Sequence, residues 1–185
     1  MRIKCVMVQL AQYYDARDPR GMFISEKYDG IRALWTGKDF LTRTGHVIDV
    51  PDHFKVGMPK FEVDGELWCG YNTLPMANGM IKRGRDHEGW DHALFLAFDL
   101  PSHWGSFARR AKKLAKLRET PTMRIVRHHK IRKHVDLLLF YTAVLDHGGE
   151  GVMLRDASAR YVRERTTDLL KLKPSNQWAL ERLSA

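Results

Sequence analysis

A lysine at position 27 has neighbours that could assist it in covalent chemistry. Residues 26–32 read EKYDGIR and follow the apolar run at residues 22–24. A strand would therefore deliver Lys27, and a turn at Gly30 would follow it. Asp29 adds a carboxylate and Arg32 a second cation. This order suits a lysine that attacks a phosphate as a nucleophile. For this segment alone, a solvated lysine at a strand end is the structural alternative.

A lysine nucleophile must first lose its proton. Its ordinary pKa of about 10.4 leaves only about one amine in two or three thousand neutral at pH 7. Lys171 and Lys173 alternate with Leu170 and Leu172, which predicts both ammonium groups on one face of a strand. If that face borders Lys27, like-charge repulsion would favour the neutral amine. The alternative is two solvated lysines on an edge strand.

Carboxylates are concentrated in two further segments. Glu62, Asp64 and Glu66 alternate with small or apolar residues and would share one face of a regular strand. Three carboxylates at that spacing repel one another unless they are solvated or bound to cations. Glu150 lies between glycines, which would let the backbone approach a ligand closely.

Five segments resemble, in order, the motifs of the covalent nucleotidyltransferases, which are the DNA ligases, RNA ligases and mRNA capping enzymes. They are residues 26–32 (EKYDGIR), 62–68 (EVDGELW), 95–100 (FLAFDL), 148–155 (GGEGVMLR) and 168–174 (DLLKLKP). The sequence RTG at residues 43–45 resembles the R-x-G of polynucleotide ligases, in which the arginine meets a phosphate. With GGEGVMLR and LLKLKP, it is most similar to the minimal bacterial and phage ATP-dependent DNA ligases.

The resemblance implies a fold and a three-step reaction. The fold would be α+β, with mixed, mostly antiparallel sheets flanked by helices, and residues 1–185 would form an adenylation domain. Lys27 would attack the α-phosphate of ATP to give lysyl-AMP. AMP would then pass to the 5′-phosphate of a nick in double-stranded DNA, and the 3′-hydroxyl would displace it.

The resemblance also implies roles for individual residues. Phe98 would stack on adenine, although core packing is the alternative for a phenylalanine in this apolar segment. Glu66 would bind the ribose hydroxyls or a metal, and Glu150 would bind the metal, Mg²⁺ or Mn²⁺. The predicted catalytic residue is Lys27, and the predicted ATP-binding residues are Ser25, Glu26, Asp29, Arg32, Arg43, Glu66, Phe98, Glu150, Lys171 and Lys173.

The positive charge of the chain is localised. The net charge is +9, yet the segment between Pro101 and Val135 contains eleven basic residues and one acid, Glu119. A solvated helix face is one interpretation, and a salt-sensitive contact surface for phosphates is the other. The predicted DNA-binding residues are Arg32, Arg43, Arg109, Arg110, Lys112, Lys113, Lys116 and Arg118.

Patterns of apolar and turn residues predict the secondary structure. Strands are expected near residues 22–27, 30–35, 40–43, 61–69, 93–99, 123–127, 151–155 and 169–173, with a hairpin turn at 36–38. Helices are expected near residues 73–82, 106–119 and 135–147, with Ser106 as an N-cap and Gly148 as a stop signal.

Composition is that of one globular domain. The chain has 185 residues, 44% of them hydrophobic and 29% charged. Its two cysteines, Cys5 and Cys69, have no metal or disulfide spacing and are interpreted as reduced thiols. Adjacent histidines at positions 128 and 129 would face opposite ways on a strand, which favours packing over a metal site. No signal peptide or membrane span is predicted, so we expect a cytoplasmic monomer, in the host cytoplasm if phage-encoded.

One part of the family pattern does not occur in these 185 residues. The ligases that the chain resembles continue into an oligonucleotide-binding barrel with a sixth motif, R-x-D-K, which orients pyrophosphate during self-adenylation. The expectation is therefore an adenylation domain without that barrel, either as a fragment or as a protein that works without it. An RNA ligase and a catalytically silent nucleic-acid-binding module are the two alternative functions.

Overall fold

Eleven strands and four helices make up the computed structural model, which describes residues 7–182. The strands are β1 (Leu10–Tyr13), β2 (Phe23–Glu26), β3 (Ile31–Trp35), β4 (Phe40–Thr42), β5 (Val47–Ile48), β6 (Val63–Trp68), β7 (Leu94–Asp99), β8 (Met123–Ile125), β9 (His129–Lys130), β10 (Val152–Arg155) and β11 (Arg165–Leu172). The helices are α1 (Leu74–Arg83), α2 (Phe107–Leu114), α3 (His134–Asp146) and α4 (Trp178–Glu181).

The strands form two sheets. One has the order β5-β4-β3-β6-β7-β8 and the other β1-β11-β10-β2-β9. Only the β1–β11 and β7–β8 pairs are parallel among the strands of residues 7–182. The predicted α+β class with mostly antiparallel sheets is therefore confirmed, because hairpins and short returns connect most neighbouring strands.

Each sheet has its own apolar core. Trp35, Phe40, Phe54 and Phe95 are buried at the centre of the six-stranded sheet. The other core lies where β2, β10 and β11 meet α3 and α4, and includes Tyr141. The alternation in β11 follows the sequence prediction, because its leucines at positions 170 and 172 are 1% and 0% exposed and face the core.

A close approach of two strands explains the glycine after Lys27. A β-carbon on Gly30 would lie 2.3 Å from the backbone oxygen of Leu67. Only glycine allows β3 to pair with β6 directly after the segment that carries Lys27. The glycine in the EKYDGIR segment is thus required by this packing.

Most predicted elements are present, with differences at their ends. The strand predicted at 169–173 begins earlier, at Arg165, and β1, β5 and β9 were not predicted. Helix α2 ends at Leu114 rather than at residue 119, because its last turn tightens into bonds such as Leu117 N to Leu114 O at 3.0 Å. Ser106 occupies the N-cap position, but its side chain makes no capping hydrogen bond.

Three smaller predictions concern single positions. The turn after β3 is closed by Thr36 N donating to Asp39 O at 3.0 Å, which confirms the hairpin. Gly148 follows α3 with a φ of +82°, as a helix-terminating glycine does. Cys69 is a free thiol, whereas Cys5 lies outside the described residues. Within residues 7–182, no helix is long and apolar enough to cross a membrane.

Candidate active site

The Lys27 side chain is held by an acid at the end of β2. Its backbone nitrogen donates to Gly151 O at 2.9 Å, which ties it to the loop before β10. Its Nζ forms an ion pair with one carboxylate oxygen of Glu150, and Lys173 Nζ pairs with the other. A single carboxylate therefore bridges two lysines, one from each of two separate motifs.

The contacts between Glu150 and the two lysines favour the ionised carboxylate. Burial acts to raise the pKa of Glu150, but hydrogen bonds from Lys173 and Lys27 outweigh it and hold the pKa below the ordinary value. The same bond to Glu150 raises the pKa of Lys173. The carboxylate of Glu150 thus lies between Lys27 and Lys173, one of the two lysines whose like-charge repulsion the sequence predicted.

A cavity of about 240 Å³ lies beside Lys27. Strands of both sheets contribute to its wall, so the site is formed where the two sheets face each other. The sequence-predicted residues that line it are Ser25, Glu26, Lys27, Arg32, Arg43, Glu66, Phe98 and Lys171. Asp29 and Glu150 line a smaller adjoining recess, to which Lys27 also contributes.

The carboxyl group of Glu66, which lines the cavity, has a strongly raised pKa. Burial raises its pKa to about 7, against the opposing influence of Arg32 and Lys27. Arg32 is already engaged, because its guanidinium donates to both carboxylate oxygens of Asp64 at 2.6 Å, and Tyr161 donates to the same carboxylate at 2.5 Å. Within residues 7–182, Glu66 thus forms no ion pair, and its place in the cavity suits a bound cation or hydroxyl donor.

The three acids of β6 and its approach have different partners. Asp64 pairs with Arg32 as described, and Glu62 accepts two hydrogen bonds from Arg163 at 2.8 and 2.9 Å. The expectation was that these carboxylates are either solvated or bound to cations, and these two acids are paired with arginines. The third, Glu66, is the one directed to the cavity.

Burial at the cavity also affects Glu26. Desolvation raises the pKa of its carboxyl, against hydrogen bonds from Tyr71 and Tyr28. Two acids of this region, Glu26 and Glu66, therefore have a pKa above the ordinary value, and both line the cavity. Raised carboxyl pKa values in a concave site are typical of ligand-binding or catalytic positions.

Phe98 lies at the cavity wall rather than in either core. Arg32 and Arg155 place their guanidinium groups 4.6 and 5.2 Å from its ring centroid. Its neighbours on β7, Phe95 and Leu96, are the ones buried in the protein. The core-packing alternative is therefore disfavoured, and the Phe98 ring lies at the site with two guanidinium groups against it.

A family model described as ATP dependent DNA ligase domain matches residues 5–173. The chain belongs to this family. A DNA ligase of Haemophilus influenzae is 34% identical over 169 residues, which cover 90% of this chain and 63% of that protein. The chain thus spans less than two thirds of the length of this curated relative.

Solved structures agree with this assignment. One from a structure-function study of Lig E DNA ligases has a TM-score of 0.81 and 32% identity, covering 90% of this chain and 68% of the other. Chlorella virus DNA ligase-adenylate has a TM-score of 0.78 at 22% identity, covering 91% and 67%. The second likeness shows the fold alone. The fold of this ligase domain is therefore the one that its motifs implied.

One predicted DNA-binding residue of the ligase domain is wrongly assigned. Arg110 is 1% exposed, and its Nε donates to Asp99 at 2.7 Å. Its position three residues after Phe107 and four before Leu114 puts it on the buried face of α2. The prediction counted basic residues along the segment between Pro101 and Val135. Such a count does not show which of these residues are buried and which are exposed. The exposed basic residues are Arg109, Lys112, Lys113, Lys116 and Arg118.

Sequence reasoning missed two arginines of the ligase cavity. Arg155 lines the cavity and donates to the buried Asp99 at 2.8 Å. Arg155 is the last residue of the GGEGVMLR motif, and this position could have predicted it as a site residue. The resemblance assigned a role only to the acid of the motif, Glu150. Arg165 also lines the cavity. It lies before the predicted start of β11, where no pattern marked it.

The histidine pair has separate packing environments. His128 packs against Phe107 and His129 against Phe140, with ring centroids 5.0 and 5.5 Å apart. Burial lowers the pKa of His128 to about 3, so its ring is neutral. Across residues 7–182 the structure contains no cluster of three or more His, Cys, Asp or Glu side chains suited to a metal ion.

Proposed function

We propose that the chain is the adenylation domain of an ATP-dependent DNA ligase and that residues 1–185 constitute that domain. It forms lysyl-AMP at Lys27, transfers AMP to the 5′-phosphate of nicked double-stranded DNA and seals the phosphodiester. The observation that carries the proposal is Lys27 at the edge of one cavity that combines arginines, a buried carboxylate and an aromatic face.

The lining of the cavity fits ATP. The Phe98 ring at the cavity wall is the aromatic group that would stack on adenine. Glu66 offers an acceptor for ribose hydroxyls at the cavity wall. Arg43 and Lys171 supply donors for phosphates from opposite sheets. Each of these residues is in the set that the motifs predicted.

The acids of the site also fit a hard divalent cation. Glu66 and Glu150 supply carboxylate oxygens, the ligands that Mg²⁺ and Mn²⁺ prefer alongside phosphates and water. When bound, such an ion polarises phosphate oxygens and offsets their negative charge. A buried carboxylate with a raised pKa, as in Glu66, gains stability from a nearby cation.

The residues of the chain define the order of events at Lys27. The ion pair between Glu150 and Lys27 opens, and the Lys27 ammonium group passes one proton to solvent to become a neutral amine. The Lys27 nitrogen then forms a bond to the α-phosphorus while the bond to the leaving pyrophosphate breaks. Lys171 and Lys173 hold phosphate oxygens as charge develops on them. A 5′-phosphate oxygen next displaces the lysine, and the 3′-hydroxyl finally displaces AMP.

Labelling with α-labelled ATP and Mg²⁺ tests the first step. A denaturing gel and mass spectrometry should show one AMP attached to Lys27 through an acid-labile phosphoramidate. Lys27→Ala should remove all label, whereas Lys38→Ala, at an exposed position in the hairpin turn, should keep it. Label that persists in the Lys27 variant, or appears on another lysine, contradicts the assignment.

A second assay bypasses the first step. A nicked duplex that already carries AMP on its 5′-phosphate needs only the final displacement, so the sixth motif is not required for it. We expect the chain to seal this substrate. Parallel reactions with a nicked RNA duplex separate a DNA ligase from an RNA ligase, since faster sealing of RNA would contradict the DNA assignment. The monomeric state and the cytoplasmic location stay predictions.

A further inference from the structure

Trp104 is the most exposed large apolar side chain within residues 7–182, at 77%. It lies in the loop between β7 and α2 and belongs to neither core. The Arg160 guanidinium lies 5.4 Å from its ring centroid. Arg109 approaches the same loop, since its Cδ lies 3.3 Å from where a β-carbon of Gly105 would be. We call Trp104, Arg109 and Arg160 the aromatic platform.

A tract of exposed arginines connects the aromatic platform to the cavity. Arg160 contacts Trp104, Arg163 follows three residues later, and Arg165 lines the cavity. Glu62 compensates the charge of Arg163. Among the ion pairs of residues 7–182, none involves Arg160 or Arg165. The other charged residue of the tract is the exposed acid Glu164. The tract therefore has an arginine at each end, Arg160 and Arg165.

The basic face of α2 adjoins the platform on its other side. Arg109 belongs to both, and Lys113 contacts His103 at 3.2 Å, next to Trp104 in the chain. An exposed aromatic ring between two groups of cations is the arrangement that binds nucleic acids, because cations hold phosphates and the ring packs on sugars or bases. An apolar partner protein would leave this charge uncompensated.

We propose that the aromatic platform holds the duplex flanking the nick, within about five base pairs of the reacting phosphate. The inference rests on the proposed function. Five residues separate Arg160 from Arg165 and span at most about 18 Å. Successive phosphates of one DNA strand are spaced by about 3.4 Å along the axis, so this upper limit corresponds to at most about five nucleotides. The Trp104 ring packs on a deoxyribose, and Arg109 and Arg160 bind neighbouring phosphates.

Two exposed tryptophans permit a matched comparison. Trp178 is 47% exposed and has its own arginine, Arg182, at 5.1 Å from the ring centroid, but it lies in α4 at the far end of the chain. Trp104→Ala should weaken binding of a nicked duplex with long arms by about tenfold. Trp178→Ala should leave the affinity unchanged. Circular dichroism and thermal unfolding check that both variants fold.

The length of the duplex arms tests the position of the contact. Nicked duplexes are prepared with one arm trimmed from twelve to three base pairs, on either side of the nick. The affinity of the unchanged chain should fall as one arm becomes shorter than about five base pairs. Below that length the Trp104 variant should bind as well as the unchanged chain does. A loss in affinity that is the same at every arm length overturns the proposed position.

Salt dependence separates the ring from the cations. Arg160→Ala should flatten the log-log slope of affinity against salt by about one unit, whereas Trp104→Ala should lower affinity at an unchanged slope. Unchanged affinity of the Trp104 variant, or a change only in its oligomeric state, overturns the inference. Labelling of Lys27 is read independently, so a chain without adenylation contradicts the proposed function and not the platform.

Discussion

The Phe98 ring can be tested apart from the fold, because it lies at the cavity wall and outside both cores. Phe98→Ala should raise the ATP concentration needed for adenylation more than it lowers the maximal rate. Stacking supplies binding energy that the ground and transition states share. We expect a loss of roughly 1 to 3 kcal/mol, measured as KM and kcat for lysyl-AMP formation.

Phe61→Ala is the control for this experiment, since Phe61 is 37% exposed and lies outside the cavity lining. It should leave both kinetic constants unchanged. A Phe98 variant that loses its thermal unfolding transition would instead support core packing.

Glu66 should make stability depend on pH. Burial raises its pKa from 4.5 to about 7, so folding disfavours its charged form. The stabilising contribution of the neutral acid is complete below about pH 4.5 and is lost as pH rises through about 7. Glu66→Gln should therefore raise the thermal midpoint by at least about 3 °C at pH 8 and leave it nearly unchanged at pH 4.5. An equal effect at both values would show that Glu66 ionises normally.

Residue types and order were enough to predict most of the site. Lys27, Glu66 and Phe98 belong to ordered motifs, and the structure places all three at one cavity. The Glu150 bridge could not be predicted, because it depends on how two loops meet across β2 and β10. Arg165 was not predicted either, because it reaches the cavity through the pairing of β1 with β11, which the sequence did not reveal.

At the scale of elements, α2 has two faces with opposite roles. Arg110 is buried against Asp99, whereas its neighbour Arg109 is exposed. Arg110→Ala should reduce the free energy of unfolding by about 3 kcal/mol, because the buried carboxylate loses one of its two arginines. Arg109→Ala should change it by less than about 0.5 kcal/mol. Urea unfolding of the two variants measures the difference, and equal values would contradict the burial of Arg110.

The exposed face of α2 should govern the salt dependence of DNA binding. Replacing Lys112 of α2 and Lys116 of the turn that follows it with alanine should flatten the log-log slope for nicked duplex by roughly two units. Labelling of Lys27 should be unaffected, because formation of lysyl-AMP involves no DNA. An unchanged slope would mean that this face is only solvated and that DNA binds elsewhere, with Arg43 the next candidate.

Strands and helices were predicted correctly where apolar residues recur at a regular spacing. They were missed or misplaced where a segment becomes a strand only by pairing with a neighbouring strand. The alternation of β11 was evident over residues 169–173, but its first half is exposed and lacks an apolar pattern. The two-residue strands β5 and β9 exist only because a neighbouring strand pairs with them. Helix α2 was predicted too long because alanines and lysines continue past its last regular turn.

At the scale of the whole molecule, the cavity needs both sheets. Arg32, Glu66 and Phe98 come from the six-stranded sheet, and Lys27 and Lys171 follow or belong to strands of the other. A ligand that contacts both sheets should stabilise them together. ATP should therefore raise the thermal midpoint of the whole chain in a single transition, measured by calorimetry. Two separating transitions would show that the nucleotide contacts only one sheet.

The strand order also determines when each sheet can form during synthesis of the chain. The six-stranded sheet uses residues 31–125, whereas β11 at Arg165–Leu172 must pair between β1 and β10 to complete the other. A ribosome-bound chain can therefore assemble the first sheet while Lys27 still lacks the strand that carries Lys171. Non-local pairing of this kind is slow. The nascent polypeptide should consequently remain unreactive toward ATP until β11 has emerged from the ribosome, so that Lys27 does not react during synthesis of the preceding residues.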